Sequence, residues 1–335
     1  MKKFVFTLLI LLIPRVGPAY TCDDCNSNPT SKEFRTIIRY YSELNDKVSS
    51  LRRMPFDHSN YVVQGLTKHI GDLYLSYYYK NVGGNNPKKE SSVVVQYSYD
   101  DKKIKNVWKL FKDGVGYTDH VGGVVVLKDQ FVVTAGKYFY FFKKDGAPVI
   151  EDQGGYKTLR ANYVKSIKPS MGANSKNSNF SFASLSADHR GKSILWTGAF
   201  KENSDASDLL GYEVSGNTFA TVPKYIFNVP SQVHKLQGVA LVSATAGQYK
   251  FLVARSYGDN PSYVYRLIYD MSGFNSTFKS RATVFTGPAG MENIHSTQEG
   301  IWSVSESGAK YFQERKNDWN DYFPFIFRLK KEKLL

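Results

Sequence analysis

Five stretches of this chain share one form, and that recurrence constrains the fold more than any single residue does. Gln64–Lys80 reads as strand, turn at Gly71–Asp72, strand. His120–Phe142 repeats the form about Lys128–Asp129, and Phe182–Phe200 about His189–Gly191. Gln237–Tyr257 and Glu299–Tyr311 are the fourth and fifth. Two apolar runs around a short turn make a β-hairpin. The starts, at Gln64, Gly122, Ala183, Gln237 and Glu299, step by roughly 54 to 62 residues, beyond the roughly 40–50 of common propeller repeats. More strand-like sequence follows four of the hairpins, at Ser92–Tyr99, Lys137–Phe142, Leu209–Val214 and Tyr263–Tyr269. Four short strands per repeat, set radially, make a propeller blade. Blades bury their faces only against neighbours, and closing the ring removes most exposed sheet edge. The predicted fold is therefore an all-β β-propeller. Five blades is the direct count, and six is the count if a long inter-repeat segment holds another. An aromatic content of 15% suits stacked sheets better than helices.

Ahead of the repeats the chain changes character. Met1–Ala19 has the charged start (Lys2, Lys3), short apolar core (Phe4–Ile13) and small residues (Gly17, Ala19) of a secretory signal. That implies a secreted, extracellular protein. No stretch approaches the ~20 apolar residues of a transmembrane helix. Residues 20–29 carry both cysteines, Cys22 and Cys25, which an oxidising compartment would let pair with each other or between chains. Their Cys-X-X-Cys spacing lacks the strand-to-helix setting of a redox motif, and the two Asp between them would raise a thiol pKa. Thr30–Met54 is predicted as one amphipathic helix packed on the propeller. Thr30 to Glu33 reads as a capping box, Phe34, Ile37, Ile38, Tyr41, Leu44, Val48 and Leu51 form a stripe, and Pro55 stops it. The propeller itself is assigned to residues 55–330.

Chemistry-bearing motifs are mostly missing. There is no nucleophile elbow, no His-Glu-X-X-His, no phosphate loop and no zinc-type Cys/His spacing. In a propeller the innermost strand of each blade lines the axis. The polar residues that the repeat places there are Gln64, His120, Ser181, Gln237, Glu292 and Glu299. Converging polar groups suit a small polar ligand or a divalent cation such as calcium in the channel, or they satisfy open strand ends and bridging waters. Loops on the same face carry Tyr77, Tyr78, Arg255, Tyr257, Asn260 and Tyr311, which offer stacking faces and a forked cation for a ligand. Asn179 and Asn275 head glycosylation tripeptides, relevant in a eukaryotic host. The Lys-rich stretch Asp100–Asp113 reads as a strand pair with solvated outer faces rather than a nucleic-acid grip. Nothing in the chain specifies an oligomer.

The ordered set SYYY (76–79), HVGG (120–123), SFASL (181–185), LWTGAF (195–200), LQGVAL (236–241), RSYGDNPS (255–262), ENIHSTQEGIW (292–302) and ESGAKY (306–311) resembles a family of secreted β-propeller proteins known best from actinobacterial genomes. The resemblance covers roughly residues 58–315. It implies a propeller and secretion and carries no established activity. The family's Met-acidic-Gly signature is altered here, because Met291-Glu292 is followed by Asn293 and a Glu-Gly pair comes only at Glu299-Gly300. That leaves open which residue of the last repeat faces the axis.

Three function classes follow. The first is a secreted binding module for a glycan or other polar, anionic ligand at the channel mouth, which the net charge of +14 favours. The second is a hydrolase or lyase using a channel-bound cation, with His120 as base and Glu299 or Glu306 as acid. The third is a structural or interaction protein of an extracellular matrix or coat.

Overall fold

A computed structural model describes residues 41–335 apart from 45, 57–59, 81–89, 150–157, 177, 204–205, 259, 310–322 and 324. The chain is a five-bladed β-propeller. The first strand among the described residues, β1 (Val48–Arg53), belongs to the last blade. Blade 1 is β2 (Tyr61–His69), β3 (Asp72–Tyr79), β4 (Val93–Ser98) and β5 (Lys103–Lys112), with the two-residue β6 (Val115–Gly116) on β5. Blade 2 is β7 (Gly123–Leu127), β8 (Gln130–Ala135), β9 (Tyr138–Val149) and β10 (Thr158–Ile167). In blade 3, β11 (Asn179–Phe180) and β12 (Ser184–Ala187) share the partner β13 (Ser193–Phe200). There β14 (Ser207–Ser215) carries β15 (Thr218–Phe219) and β16 (Tyr225–Val229). Blade 4 is β17 (Leu236–Ala244), β18 (Gln248–Arg255), β19 (Ser262–Ser272) and β20 (Asn275–Gly287). Blade 5 is β21 (Met291–Ser296), β22 (Ile301–Ser305), β23 (Phe325–Leu329) and β1.

Two features go beyond the repeat. β1 pairs antiparallel with β23, so a strand from ahead of the repeats completes the last blade and locks the ring. This corrects the described part, 41–54, of the helix expected over 30–54. Ser42–Leu44 is a single 3-10 turn and Val48–Arg53 is a strand, while 30–40 lie outside the described residues. Of the described apolar positions, Tyr41, Leu44 and Leu51 lie inside the cluster between blades 4 and 5. The unpaired edge of β23 offers a full row of hydrogen bonds, which outweighs a local 3.6-residue stripe. Second, β5 and β10 pair in parallel, with Leu159 opposite Trp108, so blades 1 and 2 share one nine-stranded sheet.

Five clusters fill the gaps between the blades. Because both faces of a blade are buried, its strands read as continuous apolar runs. In β4, Val93 and Val95 face blade 5 while Val94 faces blade 2. The aromatic excess fills these gaps. Between blades 3 and 4, Trp196 meets Phe251 edge-on at 5.2 Å and Phe227 meets Tyr269 at 4.8 Å. Buried Tyr hydroxyls find partners here, as Tyr269 Oη donates to the Asn228 carbonyl at 3.0 Å.

Candidate functional site at the ring mouth

The five inner strands start at one end of the ring, and their antiparallel partners β3, β8, β13, β18 and β22 finish there. Three inner strands bulge at that end. The register skips Gln64 in β2, Gln237 in β17, and Glu292 with Asn293 in β21. A bulge takes a residue out of the ladder and re-aims its side chain. The repeat thus places polar residues at the mouth through a backbone device that apolar alternation alone does not reveal.

Just inside the mouth the axis is filled. A Cβ on Gly123 would lie 2.2 Å from the Ala183 amide nitrogen, one on Gly65 would lie 2.8 Å from Gly123 Cα, and one on Gly238 would lie 2.6 Å from the Ile294 nitrogen. The inner strands therefore meet backbone to backbone, which only glycine permits. Asn293 crosses between them. Its Nδ2 donates to the Leu66 carbonyl at 2.9 Å and the Ala183 carbonyl at 2.8 Å, tying blade 5 to blades 1 and 3. An open channel lined by polar side chains is not what forms at this level. Among the described residues no three His, Cys, Asp or Glu side chains gather as metal ligands.

Over this plug lie two unlike polar groupings. The first joins blades 5 and 1. Gln64 Nε2 donates to Glu306 Oε2 at 2.5 Å and to the Val63 carbonyl at 3.1 Å. Glu292, at 1% exposure, has no hydrogen-bond partner on either carboxyl oxygen. Burial first, and the Glu306 charge second, hold the Glu292 carboxyl well above its ordinary value. Glu306, partly exposed, is pushed up to about 7 by burial, against the Gln64 hydrogen bond and the Lys80 charge. His120 lies exposed on the same mouth, its ring tilted on Tyr78 at 4.4 Å. Surrounding protein and the Lys80 charge hold it below the usual imidazole value.

The second grouping joins blades 3 and 4. Lys235, Arg255, Ser256, Tyr257, Asn260, Pro261 and Tyr263 line a cleft of about 310 Å³. Lys235 Nζ sits 4.0 Å from the centre of the Tyr257 ring, and the Arg255 guanidinium lies 5.7 Å from that of Tyr263. Tyr257 leans on Phe200 at 5.7 Å.

The structure sorts the sequence candidates. Gln64, His120, Gln237, Glu292 and Glu306 come to the mouth, as do Tyr78, Arg255, Tyr257 and Asn260. Ser181 is buried there, its Oγ donating to the Leu236 carbonyl at 2.6 Å, so it ties blade 3 to blade 4. Tyr77 is misassigned as a ligand contact, since its ring is buried between blades against Phe56 at 5.3 Å. Glu299 is misassigned to the axis. The innermost strand of blade 5 is Met291–Ser296, so Glu299 falls in the hairpin at the opposite end, where it bonds Lys68 at 2.5 Å and lies 3.6 Å from Arg328. Asn179 and Asn275 are exposed. Tyr311, Cys22 and Cys25 lie outside the described residues. Sequence reasoning missed Lys235, Ser256 and Tyr263. The legible signal was their position flanking Arg255 and the start of β17. The left-handed backbone at Lys235 (φ 61°) was not legible.

Neither a family profile nor a curated protein sequence matches the chain. Among solved structures, the chain is similar to a GH43_1 enzyme from Xanthomonas citri, at 9% identity and TM-score 0.42, over 86% of this chain and 92% of that one. It is also similar to a GH43 β-xylosidase/α-arabinofuranosidase from a compost microbial metagenome, at 10% identity and TM-score 0.42, over 82% and 92%. A glucose dehydrogenase matches at 12% identity and TM-score 0.39, over 84% of each chain. The similarity is one of chain path. No helix of the described residues is long and apolar enough to cross a membrane.

Proposed function

We propose that this chain is an extracellular recognition module that binds a glycan-type ligand on its mouth face. The observation that supports this most directly is the blade 3–4 cleft, where aromatic faces and hydrogen-bonding side chains share one concave wall. Sugars offer C–H faces that stack on Tyr rings and hydroxyls that need placed donors and acceptors. The secretory signal expected over residues 1–19 agrees with an extracellular setting. The test is binding of a panel of oligosaccharides to the full mature chain, repeated with Tyr257→Ala. Saturable binding weakened by that variant upholds the reading, and binding indifferent to it overturns the placement.

A second reading, hydrolysis at the mouth, is favoured by Glu306. A partly exposed carboxyl near neutrality beside a second carboxyl suits a general acid. His120, exposed on the same mouth face against Tyr78, offers an imidazole as base. Glu299, at the far end, takes no part. Glycoside turnover abolished by Glu306→Gln would decide for this reading.

A further inference from the structure

Cations of this basic surface are held against a carboxylate or over an aromatic ring, as Lys112, Lys144, Arg160 and Lys165 are, and the blade 3–4 cleft sets two of the second kind beside a buried hydroxyl. Lys68, Lys105, Arg190, Lys224, Lys279 and Arg328 each sit against a carboxylate. Among the described residues, Lys235 and Arg255 have no ion-pair partner and rest on the faces of Tyr257 and Tyr263 instead. A ring face steadies a cation without neutralising it and leaves its N–H groups free to bond an anion. Glu202, an exposed carboxylate, accepts from Tyr257 Oη at 3.5 Å.

Two further details show a built site. Ser256 is 2% exposed, lines the cleft, and its Oγ has no hydrogen-bond partner. A buried hydroxyl without a partner is costly unless a ligand completes it. Lys235 holds a left-handed backbone at φ 61°, rare for a side chain of this size, at the point where its amide bonds the Lys201 carbonyl at 3.1 Å and its carbonyl receives the Ser256 amide at 3.2 Å. His234 explains the aim of Arg255. Its Nδ1 lies 3.1 Å from the Ser231 carbonyl, which assigns the proton to Nδ1. Its Nε2 then accepts from Arg255 Nη2 at 3.4 Å.

We infer that this cleft is a subsite for an anionic sugar, a uronate or a sulfate ester. Lys235, Arg255 and the Ser256 hydroxyl hold the anion, Tyr257 or Tyr263 takes the sugar face, and His234 is a positioning residue for Arg255. The inference rests on the glycan reading above and names the class of sugar.

Calorimetry on the full mature chain tests it with three matched ligands: galacturonate oligomers, the same oligomers reduced to neutral galactose, and galactose oligomers carrying 6-O-sulfate. At least one acidic series binds tenfold or more tighter than the neutral one. Arg255→Met and Lys235→Met each weaken acidic binding by about 10- to 100-fold, the worth of a charge-assisted hydrogen bond. Lys103→Met, an exposed cation on blade 1, leaves it unchanged. His234→Phe weakens the acidic ligand but not the neutral one, and His234→Gln, whose side-chain oxygen still accepts the guanidinium N–H, restores it. Unfolding midpoints stay level across the set. Equal affinity for acidic and neutral oligomers would overturn the anionic subsite and leave the glycan reading standing. Binding of none would remove both. An equal loss from Lys103→Met would show attraction to net charge alone and overturn the site.

Discussion

The axis and the rim of the mouth lie at the same end of the five blades, yet they obey opposite rules. At the axis, backbone meets backbone, as with Gly123 against Ala183, and the Asn293 amide nitrogen spans the Leu66 and Ala183 carbonyls. At the rim, groups are left incomplete: Glu292 without a hydrogen bond, Ser256 Oγ without one, and two cations on aromatic faces. The contrast teaches where this protein places its tolerance. Packing density at the axis locks the five blades together, so the rim needs no internal satisfaction to stay in place.

The comparison breaks most directly at the axis. Gly123→Val should cost more than about 3 kcal/mol or prevent folding, because its side chain would meet backbone that cannot yield. Denaturant unfolding measures it, and an unchanged midpoint would contradict the packed axis. Asn293→Ala should follow, at about 2 kcal/mol, since it leaves two buried carbonyls without their shared donor.

Glu306→Gln sharpens the contrast at the rim. The folded-state pKa of Glu306 lies near 7, above its ordinary 4.5, so folding favours the protonated form. That contribution is complete below about pH 4.5 and is lost as the pH rises through about 7. The wild type should therefore lose stability over this window. Glu306→Gln, which keeps an acceptor for Gln64, should be more stable than wild type by about 1–3 kcal/mol at pH 8 and level with it at pH 4. Unfolding midpoints at both pH values decide. Glu299→Ala gives the smallest effect. Its exposed pairs with Lys68 and Arg328 are worth under about 1 kcal/mol, and mouth binding should not change.

Much of this was legible beforehand. The hairpin period announced the ring, and four of its five starts, Gln64, Gly122, Ala183 and Gln237, fall at or within three residues of an inner strand. The fifth failed because Glu299-Gly300 imitates a strand start while the true one, Met291-Glu292-Asn293, is disguised by its bulge. Arg255, Tyr257 and Asn260 were legible as a loop rich in binding residues, but their neighbour Lys235 comes from the preceding blade connection.

By itself, then, the amino-acid sequence determined that the chain would be a ring of β-hairpins with aromatic gaps, since alternation and turns act over a few neighbouring residues. Tertiary structure alone decided three things: that Val48–Arg53 becomes a strand, that β5 and β10 fuse two blades, and that Glu292, Glu306 and Gln64 share one floor. Each depends on which distant strand edge or side chain arrives alongside once the ring has closed, and local propensity carries no record of that.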